Sequence, residues 1–162
     1  METRKMSVFL FFAYLLLLTW MIVFKFDLTV LYGRYSSTHL NLVPFAGTAV
    51  YDGVLNFPEI LFNVVSFIPF GIYMEILFRK ASWTVNLLVI LLVSLAFEVV
   101  QYILLLGIAD ITDLLANGLG GAIGINIMYV LTSIWHEKTY ARMNVFSLVL
   151  TIFVILTTYF LV

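Results

Sequence analysis

The chain has 162 residues, 64% of them hydrophobic and 10% charged, with a net charge of −1 and a mean hydropathy of +1.12. A soluble domain of this length cannot cover so much apolar surface, so a water-soluble globular fold is excluded and an integral membrane protein follows. Cysteine is absent, which removes disulfides, thiol catalysis and thiolate metal sites, and no basic stripe points to nucleic acid.

A helix needs roughly 20 mostly apolar residues to cross a hydrocarbon core of about 30 Å. The sequence predicts five such helices, at about residues 7–24, 60–78, 83–106, 114–134 and 145–162, in one transmembrane domain covering 1–162. The fold class is therefore an all-α integral membrane bundle, multi-pass in the cell membrane. The first span exceeds the ~7–15 apolar residues of a secretory signal, and Leu18, Thr19, Trp20 and Met21 form no small-x-small cleavage site. It reads as a retained helix.

The connection 25–59 carries Tyr32, Tyr35, Phe45, Tyr51 and Phe57, aromatic residues suited to the membrane interface. Asn41, Pro44 and Phe45 are expected to fold back from it as a lid, because irregular backbone enters a membrane only where protein or water covers it. In the second helix, Pro69 with Gly71 predicts an interruption, and Asn63 and Ser66, three apart, share a face. Glu75 lies one turn from Arg79 and reads as an i,i+4 pair.

The third helix carries Glu98 and Gln101 three apart, with Glu98 about 22 Å along from Trp83. An acidic group inside a span costs on the order of 2.5 kcal/mol or more, so Glu98 marks a cavity or a partner. Asp110 and Asp113 open the fourth helix, with Asn117 one turn further on. Asp110 before an apolar run equally has the form of a helix N-cap, with Asp113 as a first-turn acid. Ala116, Gly120 and Gly124 repeat every fourth residue and predict a close helix contact. The fifth helix offers only Ser147, Thr151, Thr157, Thr158 and Tyr159 as polar groups and reads as outer packing.

Basic residues favour the cytoplasmic side of short loops. With the N-terminus inside, Arg4, Lys5, Arg79, Lys80, Lys138 and Arg142 are cytoplasmic, and Lys25 and Arg34 lie outside. That predicts the N-terminus in, the C-terminus out, and the polar residues of three helices at one outer-leaflet zone. His39 and His136 fall on opposite sides and cannot share a zinc site. No GxSxG, Walker A or HExxH pattern occurs.

NLVPF, NVVSFIPFG, FEVVQ and DITDLLANGLGGAIG, in that order, resemble the VanZ-like family, named for its association with teicoplanin resistance in Gram-positive bacteria. The likeness covers about half of the chain, with little from the first and fifth helices. Carried over residue by residue, it marks Asn41, Pro44, Phe45, Asn63, Pro69, Phe70, Gly71, Glu98, Gln101, Asp110, Asp113, Asn117 and Gly120. Many members also carry an arginine just before the aspartates, where this chain has Gly107, Ile108 and Ala109, so no role of that cation transfers.

The resemblance implies resistance to glycopeptides with lipid tails and implies no particular reaction. Its partners would be the lipid bilayer together with a lipid-linked cell-wall precursor or a lipoglycopeptide. In an enzyme reading Glu98 and Asp113 are the catalytic candidates, while Asn41, Asn63, Gln101, Asp110 and Asn117 bind substrate. In a binding reading the same pocket holds a head group or the drug without bond breaking. The carboxylates alternatively hold a divalent cation, magnesium or calcium before zinc; metal and cofactor stay open. Transport, of a small molecule or lipid, is disfavoured because no inverted repeat is present and Glu75 alone lines the inner half.

Overall fold

The computed structural model describes residues 2–24, 40–46, 50–51, 54–55, 57–106, 109–136, 139, 141–146 and 148–149. Four long helices dominate: α1 (Glu2–Val23), α2 (Phe57–Leu77), α3 (Trp83–Ile103) and α4 (Ile111–Trp135). Each contains a stretch long and apolar enough to cross a membrane, so the all-α membrane class holds. The predicted fifth span lies mostly outside the described residues. The part of it that is described, 145–146 and 148–149, is helical.

The connections also contain short strands that the apolar pattern does not foretell. Strand β1 (Leu40–Asn41) pairs in parallel with β4 (Ala109–Asp110), in the register Leu40↔Ala109 and Asn41↔Asp110. Strands β2 (Val50–Tyr51) and β3 (Val54–Leu55) pair antiparallel.

Local chemistry sets the helix bounds. Helix α2 starts at Phe57, ahead of the expected position, because Pro58 tolerates a first turn where its missing N–H is not needed, and Glu59 complements the positive helix end. The Ser82 hydroxyl caps α3 by accepting from Val85 N–H at 3.3 Å, and the Asp110 carboxylate caps α4 by accepting from Thr112 N–H at 2.8 Å.

Helix α3 stops at Ile103, short of the expected 106. Leu105 takes a left-handed φ of 58°, and the N–H groups of Leu106 and Leu105 turn back to the carbonyls of Gln101 and Tyr102 at 2.9 and 3.3 Å. Those two bonds form a Schellman stop, built on leucine rather than on Gly107.

The core is aromatic where α1, α2 and α3 meet. Phe11 lies 5.6 Å from Phe70 and 5.9 Å from Tyr73 between ring centroids, Tyr14 stacks on Tyr73, and Phe67 sits edge-on to Phe70 and Phe97. Helix α4 packs most extensively on α2, then on α3. That seam is backbone on backbone: a methyl group at Gly120 would strike the Val64 carbonyl, one at Gly124 the Ile68 carbonyl, and one at Gly71 the Gly121 carbonyl. The small-residue stripe therefore does what its spacing predicts, and α2 is the partner.

The expected interruption at Pro69 and Gly71 is corrected, since α2 runs unbroken through both. Gly71 serves the seam, and the Tyr14 hydroxyl donates to the Ser66 carbonyl in the turn where Pro69 removes a donor. Outward faces are apolar, with Phe9, Leu16, Leu92, Leu119 and Val130 exposed, a surface suited to lipid.

Candidate functional site

The end of α1, the start of α2, the end of α3 and the start of α4 come together at one end of the bundle, and nearly all the candidate residues are there. They separate into two groups. The first is a knot at the α4 N-terminus. Asp110 is buried; its Oδ1 accepts from Thr112 N–H, its Oδ2 accepts from Asn41 Nδ2 at 3.0 Å, and its own N–H donates to Glu98 Oε2 at 3.0 Å. Phe45 N–H donates to Thr112 Oγ1 at 3.0 Å. Asn41 also holds its own turn, donating to the Ala46 carbonyl and accepting from Val43 N–H.

Residues 40–46 therefore fold back onto β4 and α4, as their composition suggests. Glu98, buried at 5% exposure, fixes the strand that leads into α4. A carboxylate accepting a backbone N–H is a strong, charge-assisted bond, so the cost of burying this acid is offset locally.

The second group lines a cleft of about 230 Å³, formed by Met21, Ile22, Glu59, Phe62, Asn63, Gln101 and Asp113. Glu59 lies in the first turn of α2 and Asp113 in the first turn of α4, so two positive helix ends meet two acids there. Gln101 Nε2 donates to the Ile22 carbonyl at 2.9 Å, which ties α3 to the last turn of α1. Asn63 is 6% exposed and makes no side-chain hydrogen bond among the described residues. Its place on the cleft lining leaves that amide open to a polar ligand or water there.

Asn117 belongs to neither group. Its Nδ2 donates to Ser94 Oγ at 2.8 Å, with both residues fully buried between α3 and α4. Of the expected site residues, then, Asn63, Gln101 and Asp113 meet in the cleft, Asn41, Glu98 and Asp110 meet in the knot, and Asn117 joins the α3–α4 seam.

Three polar residues escaped the sequence reading. Glu59 is four residues from Asn63 and shares its face. Ser94 is four from Glu98 on the buried face of α3. Asn86, fully buried, donates to Glu75 Oε2 at 3.0 Å at the other end of the bundle, so Glu75 is bound across helices as well as lying one turn from Arg79. Among the described residues no group of three or more His, Cys, Asp or Glu side chains is arranged to hold a metal ion, which leaves the divalent-cation alternative without a donor set there.

The VanZ/LLP1 family profile matches residues 11–135, most of the chain. The chain belongs to the VanZ/LLP1 family. It is 32% identical over 144 residues to Protein VanZ of Enterococcus faecium, covering 88% of this chain and 86% of that protein. No solved structure matches. The family match reaches further than the four sequence motifs, since it takes in α1 from residue 11. The structure gives a physical reason: α1 supplies the Ile22 carbonyl for Gln101, the Met21 and Ile22 wall of the cleft, and the Tyr14 hydroxyl.

Proposed function

We propose that this VanZ/LLP1 protein contributes to tolerance of lipid-tailed glycopeptides such as teicoplanin, through a cleft that opens to the outer leaflet of the cell membrane and receives the head group of a lipid or cell-wall component. The observation that carries the reading is the Asn63 amide, without a hydrogen bond among the described residues, on the wall of a cleft shared with Asp113, Gln101 and Glu59. The apolar side made by Met21, Ile22 and Phe62 suits the first atoms of a lipid tail.

Size narrows the ligand. At about 230 Å³ the cleft falls below the ~300–1,000 Å³ of drug-sized pockets, so it fits a head group or a short polar end and not a whole glycopeptide. The outward orientation is supported by charge: Arg4, Lys5, Arg79, Lys80 and Arg142 precede, follow or flank helix ends opposite the cleft, and basic residues favour the cytoplasm. With a fifth span, this reading has the N-terminus in and the C-terminus out.

Within this reading Asp113, Asn63 and Gln101 contact the ligand, while Glu98, Asp110 and Asn41 position the α4 N-terminus from which Asp113 projects. An enzymatic version needs a base at the ligand, and Asp113 is better located for it than Glu98, which is absent from the cleft lining.

The test is a susceptibility series at matched membrane protein levels. Asp113→Asn is expected to abolish tolerance with a melting temperature in detergent close to that of the wild type, because the amide keeps the side chain's size and an accepting oxygen. Asn63→Leu is expected to lose tolerance with little change in melting temperature, since the amide makes no side-chain hydrogen bond among the described residues and its removal takes a polar group from the cleft wall. Full tolerance in both variants would refute the cleft.

A further inference from the structure

Glu75 and Asn86 lie at the end of the bundle away from the cleft, near the turn that carries Arg79 and Lys80. Both are at least nine-tenths buried, at 8% and 0% exposure. Asn86 Nδ2 donates to Glu75 Oε2 at 3.0 Å, and Asn86 Oδ1, also buried, has no hydrogen-bond partner among the described residues. A carboxylate only accepts hydrogen bonds, whereas a carboxylic acid adds one O–H donor. An ionised Glu75 therefore leaves the amide oxygen orphaned beside a second acceptor. One added proton supplies the missing donor and completes a two-bond acid–amide pair.

The surroundings set the charge balance. At this stretch of α2, α4 contributes Ile125 and Met128 and α1 contributes Leu10 and Phe11 to the packed clusters. The titratable members of these clusters are Tyr14 on α1 and Tyr73 on α2, whose hydroxyls carry no charge at neutral pH. Among the described residues the charged group acting on Glu75 is Arg79 on its own helix, and α3 contributes the neutral Asn86. One cation at a helix end near water opposes the proton, while the orphaned oxygen and the apolar walls favour it.

We propose that Glu75 and Asn86 form a proton-binding site, in which the carboxyl is held as the neutral acid and its O–H donates to Asn86 Oδ1. The site lies near the basic end of the bundle, it is separate from the cleft, and its test is independent of the cleft. It gives the family member a buried carboxyl that takes up or releases a proton when the α2–α3 contact changes.

Infrared spectroscopy of the full-length protein in lipid at neutral pH reads the protonation state directly. The expected spectrum contains a hydrogen-bonded carboxylic-acid carbonyl band that disappears in Glu75→Gln. Loss of a carboxylate band instead, with no acid band removed, overturns the proposal. Thermal melting supplies the second readout. A glutamine reproduces both hydrogen bonds of the neutral acid, so Glu75→Gln is expected to melt at or above the wild-type temperature, and Glu75→Leu, which strands both ends of the amide, clearly below it. A glutamine variant that melts as low as the leucine variant, or fails to fold, contradicts the neutral acid.

Discussion

The two ends of the bundle use the same ingredients, a carboxyl beside an asparagine, in opposite ways. At the basic end Glu75 and Asn86 face each other across α2 and α3 and are sealed in apolar packing. At the other end Asp113 and Asn63 stand on α4 and α2 around a cleft, and the neighbouring acids Glu98 and Asp110 are occupied in building the helix start that presents them. Polar groups in a membrane helix thus divide into those closed off by packing and those that line a space. The second kind points to a ligand.

The largest expected effect comes from breaking what joins the two ends. Gly124→Leu drives a side chain into the Ile68 carbonyl, and because backbone cannot give way as a side-chain tip does, α2 and α4 must part. Overpacking typically costs about 1–3 kcal/mol or more. Both ends should fail together, with loss of tolerance and of folded protein on detergent gels. A variant that folds normally would mean that the seam is looser than described.

A smaller effect separates knot from cleft. Glu98→Gln retains an oxygen that can accept the Asp110 N–H but gives up the charge assistance, a difference of about 1 kcal/mol. A modest fall in melting temperature with most tolerance retained is expected at matched protein levels. Normal melting with complete loss of tolerance would return Glu98 to the chemistry, as the enzyme reading from sequence has it.

Much of this was legible in the residues and some was not, for physical reasons. Hydropathy shows a helix wherever lipid must be satisfied, and the Ala116, Gly120, Gly124 spacing shows a close contact, because both signals are local. Asp110 as an N-cap was legible in the same way. Glu59 was hidden because Pro58 looks like a loop residue unless its tolerance in a first helical turn is weighed. Asn86 and Ser94 were hidden because a lone amide or hydroxyl in an apolar run acquires meaning only from its partner on another helix. The β1–β4 pairing joins residues 40–41 to 109–110, a distance in sequence that no periodicity spans. Leu105 in a left-handed turn was likewise unreadable, since Gly107 is the more usual residue for that stop.

The central claim is that the cleft faces outward while the basic end faces the cytoplasm. The chain has no cysteine, so a single introduced thiol reports its own position. In intact cells a membrane-impermeant maleimide is expected to label Glu59→Cys at the cleft and to leave Lys80→Cys unmodified until the membrane is permeabilised. Labelling of Lys80→Cys in intact cells, with Glu59→Cys protected, would reverse the orientation and remove the outer-leaflet site.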